Sequence, residues 1–474
     1  VSVNKYPSLA NTIKIVLHFH DNLLSHHCHS RTRGQMLRLF CLLGTRLKLL
    51  SVTSNCALAY PRNFAFGSVA EFDSQAVVLS IMDSIASAES SAITDQEGSF
   101  IAPVLRGLGP QFAVLTITFG FPEPSQDHYD VVTSLTKLMP DIHLYCQKNS
   151  ISVCANGVSN SSRAYFKPPF REPLDDKCPP ISLSLSVQNA QTTSGTLGGY
   201  IYPKINPRKK ELADHARFTY AMTCAHVCMT SRPRDSSENN YSAISVPSSV
   251  LINMFKRALQ GEVKKYPPTS EVYRAYNGAV KGLDEKYPMP DNEGKYNPSC
   301  NQPKDTFGQV VWGERTVING SISDIAIIRC SPNITCRNYL GDDICFSEYD
   351  PALMFENLHV KHIEQKIISG MHVFKYGSTS KYTAGIFNGP KIVYWADGKI
   401  QSSEFIVRST SSPMFATGGD SGSWILHKRD TGPGLSVLGM LHSYDGEHKE
   451  FGLFTPMTQI LDRLAEITGN KWGI

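Results

Sequence analysis

A chain of 474 residues, 41% hydrophobic and 19% charged, has the make-up of a globular protein and the length of two or three domains. Its net charge of +4 gathers at one end: residues 1–60 hold seven Lys and Arg against Asp21 alone, a net of +6, and the rest sums to −2. A body without a basic field excludes a dedicated nucleic-acid binder, and no run reaches the ~18 apolar residues of a membrane helix.

Residues 1–60 lack steady periodicity and read as a basic, disordered extension. The histidine-rich stretch His18 to His29 invites a metal, but it has neither carboxylate support nor a compact scaffold, so no metal or cofactor is expected there. A signal peptide over Met36 to Ala59 is disfavoured by Arg46 and Lys48 in its apolar centre. The compartment stays open, with the intracellular favoured over the secreted.

Residues 61–165 have the texture of a small α/β accessory module that could bind another protein. Ser74 to Ala88 and the run DHYDVVTSLTKLM have helical spacing, QFAVLTITFGF reads as a buried strand, and DIHLYCQKNSISVCA as one strand or a hairpin. Proline and charge in 166–189 read as a linker. From 190 to 474 short β-branched runs alternate with turn residues, which predicts a β-barrel or sandwich. Its end, TPMTQILDRLAEITG, predicts a helix capped by Thr455, with Pro456 in the first turn and Ile460, Leu461, Leu464 and Ile467 on one apolar face. Residues 231–303 interrupt the β texture with two amphipathic helices among Pro-, Lys- and Asn-rich loops. They are expected as a surface insertion packing through Leu251, Met254, Phe255, Val272 and Tyr276.

Chemistry concentrates in three motifs. MFATGGDSGSWIL holds Ser421 among glycines that free the backbone for a tight turn. A serine hydroxyl is a weak nucleophile at neutral pH unless an imidazole takes its proton and a carboxylate orients that imidazole. TYAMTCAHVC offers His226 where an apolar strand ends, and GSISDIAIIRC offers Asp324 at the start of a buried strand.

Taken in order, TCAHVC, SDIAII and GGDSGS resemble the catalytic motifs of the chymotrypsin-fold (trypsin-like) serine peptidases, of the disulfide-poor type, over about 190–474. The resemblance implies a mainly β double barrel closed by a C-terminal helix. It implies His226 as general base and then acid, Asp324 as its orienting carboxylate and Ser421 as nucleophile. The N–H groups of Gly419 and Ser421 would form the oxyanion hole, with Asp420 bracing the loop. KYGSTSKYTAG resembles a hairpin of the disulfide-poor members. The family's activation motif, a freed apolar N-terminus ahead of glycines, is missing, so Asp420 needs another partner. His226 and Asp324 stand 98 residues apart, a gap widened by the insertion.

In the same resemblance Phe415 stands where trypsin-like enzymes carry an acid, which disfavours Lys or Arg in the substrate. Gly452 implies an open pocket, and His442 lies at the pocket wall, as a rim residue or a glutamate reader. The implied activity is a serine endopeptidase acting on protein or peptide substrates through an acyl-enzyme. A catalytically impaired scaffold on the same fold is the alternative. A serine esterase is weaker still, because Ser423 breaks the G-x-S-x-G elbow and the His–Asp–Ser order is not that of the hydrolases.

Overall fold

The computed structural model describes residues 62–65, 96–107, 113–138, 143–153, 167–188, 190–206, 208, 212, 215–229, 242–288, 307–354, 356–396, 399–410, 414–429 and 432–474. The 1–60 extension, the Ser74 to Ala88 helix and the loop 289–303 lie outside these residues.

Six antiparallel strands close on themselves in the C-terminal half. In ring order they are His372–Gly377, Lys381–Phe387, Lys399–Ser409, Phe451–Pro456, Leu435–Asp445 and Trp424–Lys428, which returns to the first. Alternation sets the inside of this barrel: in Lys381–Phe387 the residues Thr383, Gly385 and Phe387 are buried while their neighbours are half-exposed. A second sheet of eight strands includes Gly199–Lys204, Tyr220–Thr223, Ser321–Cys330, Gly308–Ile318, Ala243–Ser245 and Ser184–Val187, hydrogen-bonded in that order. Ser321–Cys330 is buried along nearly its whole length, as its apolar run Ile325 to Ile328 requires, and the buried Asp324 stands just ahead of that run. Between the two sheets Trp424, Phe374, Tyr200 and Met222 share one core. This is the mainly β, chymotrypsin-type architecture.

Helix Met457–Thr468 buries Ile460, Leu461 and Leu464, and a short strand, Lys471–Gly473, follows it to pair with Gly199–Lys204. Pro456 caps it from outside rather than entering its first turn, and Thr455 is drawn away to Ile322. Ile467 is exposed, a departure from the expected face.

Three expectations from texture need correction. The 61–165 unit is α/β, with strands Phe100–Gly107 and Val114–Phe121, helix Gln126–Leu138 and parallel strand His143–Lys148, but it continues the barrel's own sheet. Phe100 and Ile101 pair with Tyr394 and Val393 of strand Ile392–Ala396. No hairpin forms after it: Ile151–Val153 crosses to pair with Ser443, Tyr444 and Asp445. The proline-rich linker is also anchored, because the buried Arg171 guanidinium bonds Asp343 and the carbonyls of Ile181 and Leu340. Composition read that segment as loose because it cannot display a partner 172 residues away. Finally, 231–303 is not wholly an insertion, since Ala243–Ser245 is a strand of the second sheet. Its helices, Ser249–Val263 and Glu271–Lys286, pack on each other through Leu259, Tyr276 and Val280, and against Phe170 through Ile252, Leu283 and Phe255. Val272 is exposed instead.

Candidate active site

Strand Tyr220–Thr223 ends in a single helical turn, Ala225–Cys228, which turns His226 away from the core. The His226 main-chain N–H donates to Asp324 Oδ1 at 3.1 Å, and its Nδ1 lies 2.5 Å from Asp324 Oδ2. An ionised Asp324 accepts the Nδ1 proton, which leaves Nε2 as an acceptor. Nε2 lies 2.8 Å from Ser421 Oγ. The three residues that the sequence offers therefore meet in one line. Burial pushes the Asp324 carboxyl up, but the charge and hydrogen bond of His226, with Arg315 and His442 behind them, outweigh it and hold the group at about 2. Arg315 is a partner that the motifs do not announce; its Nε is 3.3 Å from Asp324. Cys224 Sγ also lies within 4.8 Å of ligand atoms of His226 and Asp324. Cys224 Sγ–H donates to the Leu441 carbonyl at 3.2 Å, while His226 and Asp324 bond each other.

The turn around Ser421 is built by glycine. Gly419 and Gly422 hold φ of +97° and +94°, where a side chain is strained. A Cβ on Gly422 would also come within 2.3 Å of the Thr196 carbonyl. Gly422→Ala is expected to cost about 1–3 kcal/mol in a denaturation midpoint analysis and to displace Ser421; unchanged stability would contradict this reading of the turn. The Gly419 carbonyl is fixed by the hydroxyls of Thr196 and Ser378. Asp420, Gly422 and Ser423 spend their N–H groups on carbonyls, whereas those of Gly419 and Ser421 have no partner among the described residues.

The missing partner of Asp420 is Lys375, in the KYGSTSKYTAG hairpin. Its Nζ lies 3.1 Å from Asp420 Oδ2 and 2.6 Å from Ser380 Oγ, with both charged side chains wholly buried. The N–H groups of Thr379, Ser380 and Thr417 complete the carboxylate's bonding.

The specificity residues fall differently from their expected places. Gly452 does not open a pocket, because the Phe415 ring packs where its side chain would be, 2.5 Å from an added Cβ. His442 is no rim residue: it is buried, its carbonyl lies 3.1 Å from Ser421 Oγ as a second acceptor for the one hydroxyl proton, and its ring faces Glu404. An irregularity in strand pairing between Leu441 and Ser443 turns this residue inward, and sequence alternation does not register it.

The edge of this strand beside Ser421 is covered by Ile151–Val153, and Ser421 is fully buried. The covering segment is pinned at Asp445, whose Oδ2 accepts from the buried Asn149 amide at 3.3 Å, while Oδ1 accepts from Phe451 N–H at 2.6 Å. Burial raises the Asp445 carboxyl to about 7 against the opposing Phe451 and Asn149 bonds. An undocked, solvated Asp445 titrates near ~3.9. The docked state therefore binds the proton more tightly. Docking is expected to weaken by up to about tenfold per pH unit between about 4 and about 7, and to level off above. Hydrogen exchange of the Ile151–Val153 amides, corrected for intrinsic rates, measures this; protection independent of pH would contradict it.

Among the described residues no helix is long and apolar enough to cross a membrane. The chain is similar in structure to Thermobifida fusca protease A (13% identity, TM-score 0.30, covering 62% of this chain and 98% of that one). It is also similar to the Nocardiopsis protease (12%, 0.30, 63% and 100%), and to a glutamic acid specific serine protease that uses a histidine triad in substrate binding (12%, 0.30, 62% and 98%). Residues 1–53 match the SSY5 N-terminal domain. Residues 57–474 match the model of peptidase family S64, and on the breadth of that match this chymotrypsin-fold chain belongs to peptidase family S64.

Proposed function

We propose that the chain is a serine endopeptidase working through an acyl-enzyme. The observation that carries this reading is the continuous contact Asp324–His226–Ser421, at 2.5 and 2.8 Å. Ser421 Oγ attacks the scissile carbonyl carbon while its proton passes to His226 Nε2. The tetrahedral oxyanion is held by the free N–H groups of Gly419 and Ser421. Collapse breaks the C–N bond, and His226 returns the proton to the departing amine. Water, deprotonated by the same imidazole, then attacks the ester and releases Ser421. Asp324 stays ionised throughout and stabilises the imidazolium, in keeping with its depressed pKa.

Strand addition is the mode of substrate binding that the site favours. The edge Ser443–Asp445 already accepts the chain's own Ile151–Val153 antiparallel, and an extended peptide would use the same main-chain groups. Peptide binding then requires that segment to leave. The burial of Ser421 favours a second reading, in which the closed cleft serves a scaffold that does not turn over. Reaction with a fluorophosphonate separates the two, because only an activated Ser421 forms the covalent adduct.

A further inference from the structure

Asp324 lies on the second sheet and His226 just after its strand Tyr220–Thr223, whereas Ser421 lies just before barrel strand Trp424–Lys428, so their alignment depends on how the two sheets are held together. We infer that Glu404 is a positioning residue that clamps the Asp324 strand to the Ser421 barrel and sets the alignment of the three. This rests on the proposed peptidase reading.

Glu404 lies on barrel strand Lys399–Ser409, buried, with both oxygens directed at the site's supports. Its Oε1 accepts from the Ile322 N–H at 2.6 Å. Ile322 is two residues before Asp324 on the same strand, so their side chains share a face. Its Oε2 lies 3.6 Å from Nε2 of His442, too long for a hydrogen bond but an ion-pair distance if the imidazole is charged. The main-chain carbonyl of that same His442 receives Ser421 Oγ. One carboxylate thus touches the strand bearing the orienting acid and the residue walling the nucleophile. Three further bonds tie the same stretch across: Thr455 Oγ1 to the Ile322 carbonyl at 3.0 Å, Ser403 N–H to the Gly320 carbonyl at 2.6 Å, and Ser321 Oγ to the Ser403 carbonyl at 3.0 Å. A buried glutamate is costly unless its oxygens are used, and the use found here is to hold Ile322 in register.

The test compares the wild type with Glu404→Gln and Glu404→Leu, reading the maximal rate and the apparent affinity for a fluorophosphonate. The low-field proton of the His226–Asp324 bond is recorded in parallel, a readout that does not need activity. Gln keeps an oxygen for Ile322 and is expected within about threefold of wild type, with the proton retained. Leu is expected to slow the maximal rate by about a hundredfold at unchanged affinity and to lose the proton, as a misplaced reacting group does. Should the Leu variant not fold, Thr455→Val removes the bond on the other side of Ile322; a loss of about tenfold is expected, with Thr455→Ser restoring the rate. A wild type that does not label sinks the peptidase reading, and the proton then decides the clamp alone. Folded Leu or Val variants that label at the wild-type rate and keep the proton would overturn the clamp. A Gln variant as slow as Leu would overturn it too, since charge rather than the Ile322 bond would then matter.

Discussion

Ser421→Ala is expected to abolish covalent labelling and to lower peptide hydrolysis by about 10⁶-fold, the loss typical when a triad nucleophile is removed. Stability should change by only about 1 kcal/mol, because the hydroxyl has one proton to give, to His226 or to the His442 carbonyl, and its loss leaves no buried charge. Asp324→Asn should cost about 10⁴-fold, since an amide cannot hold the same imidazole tautomer. Rates are measured on one peptide substrate, with thermal melts as the control. Hydrolysis retained by the alanine variant would assign the chemistry to another residue.

Lys375→Met should have the largest effect on stability. Lys375 and Asp420 are both wholly buried, and removing one partner strands the other's charge away from water. The expected loss is about 3–5 kcal/mol of unfolding free energy. Fluorophosphonate labelling should fall with it, because Asp420 also gathers the N–H groups of Thr379, Ser380 and Thr417 that shape the loop before Ser421. Adding Asp420→Asn to Lys375→Met should recover part of the stability, since the orphaned charge is then gone while the amide oxygen still accepts. A double variant no more stable than the single one would show that Lys375 acts through packing rather than charge.

The barrel texture and the C-terminal helix were legible because each is written locally, and His226, Asp324 and Ser421 were singled out because their three short motifs, each weak alone, stand in the order that resembles the chymotrypsin-fold peptidases. A strand ending in a histidine, an acid opening a buried run and a glycine-lined serine are all short-range patterns. What escaped is long-range. Lys375 sits in a recognisable hairpin, but its bond to Asp420 joins residues 45 apart, and a buried lysine looks like any lysine until its partner is seen. Arg315 and Glu404 carry no motif at all. Ile151–Val153 is three residues long, too short for periodicity, and its pairing partner lies near the other end of the chain. Phe415 and Gly452 read separately in the sequence, one as a missing acid and the other as an open pocket, but in space the Phe415 ring fills the room that Gly452 leaves.

On the proposed reading, His226 and Asp324 make Ser421 a nucleophile. This is tested most directly by incubating the intact chain with a fluorophosphonate at pH 8, where the segment over the cleft is held least firmly, and locating the adduct by mass spectrometry. A single adduct on Ser421 is expected, absent from His226→Ala and from Ser421→Ala. A folded wild type that remains unmodified, or an adduct on another residue that persists in Ser421→Ala, would contradict it.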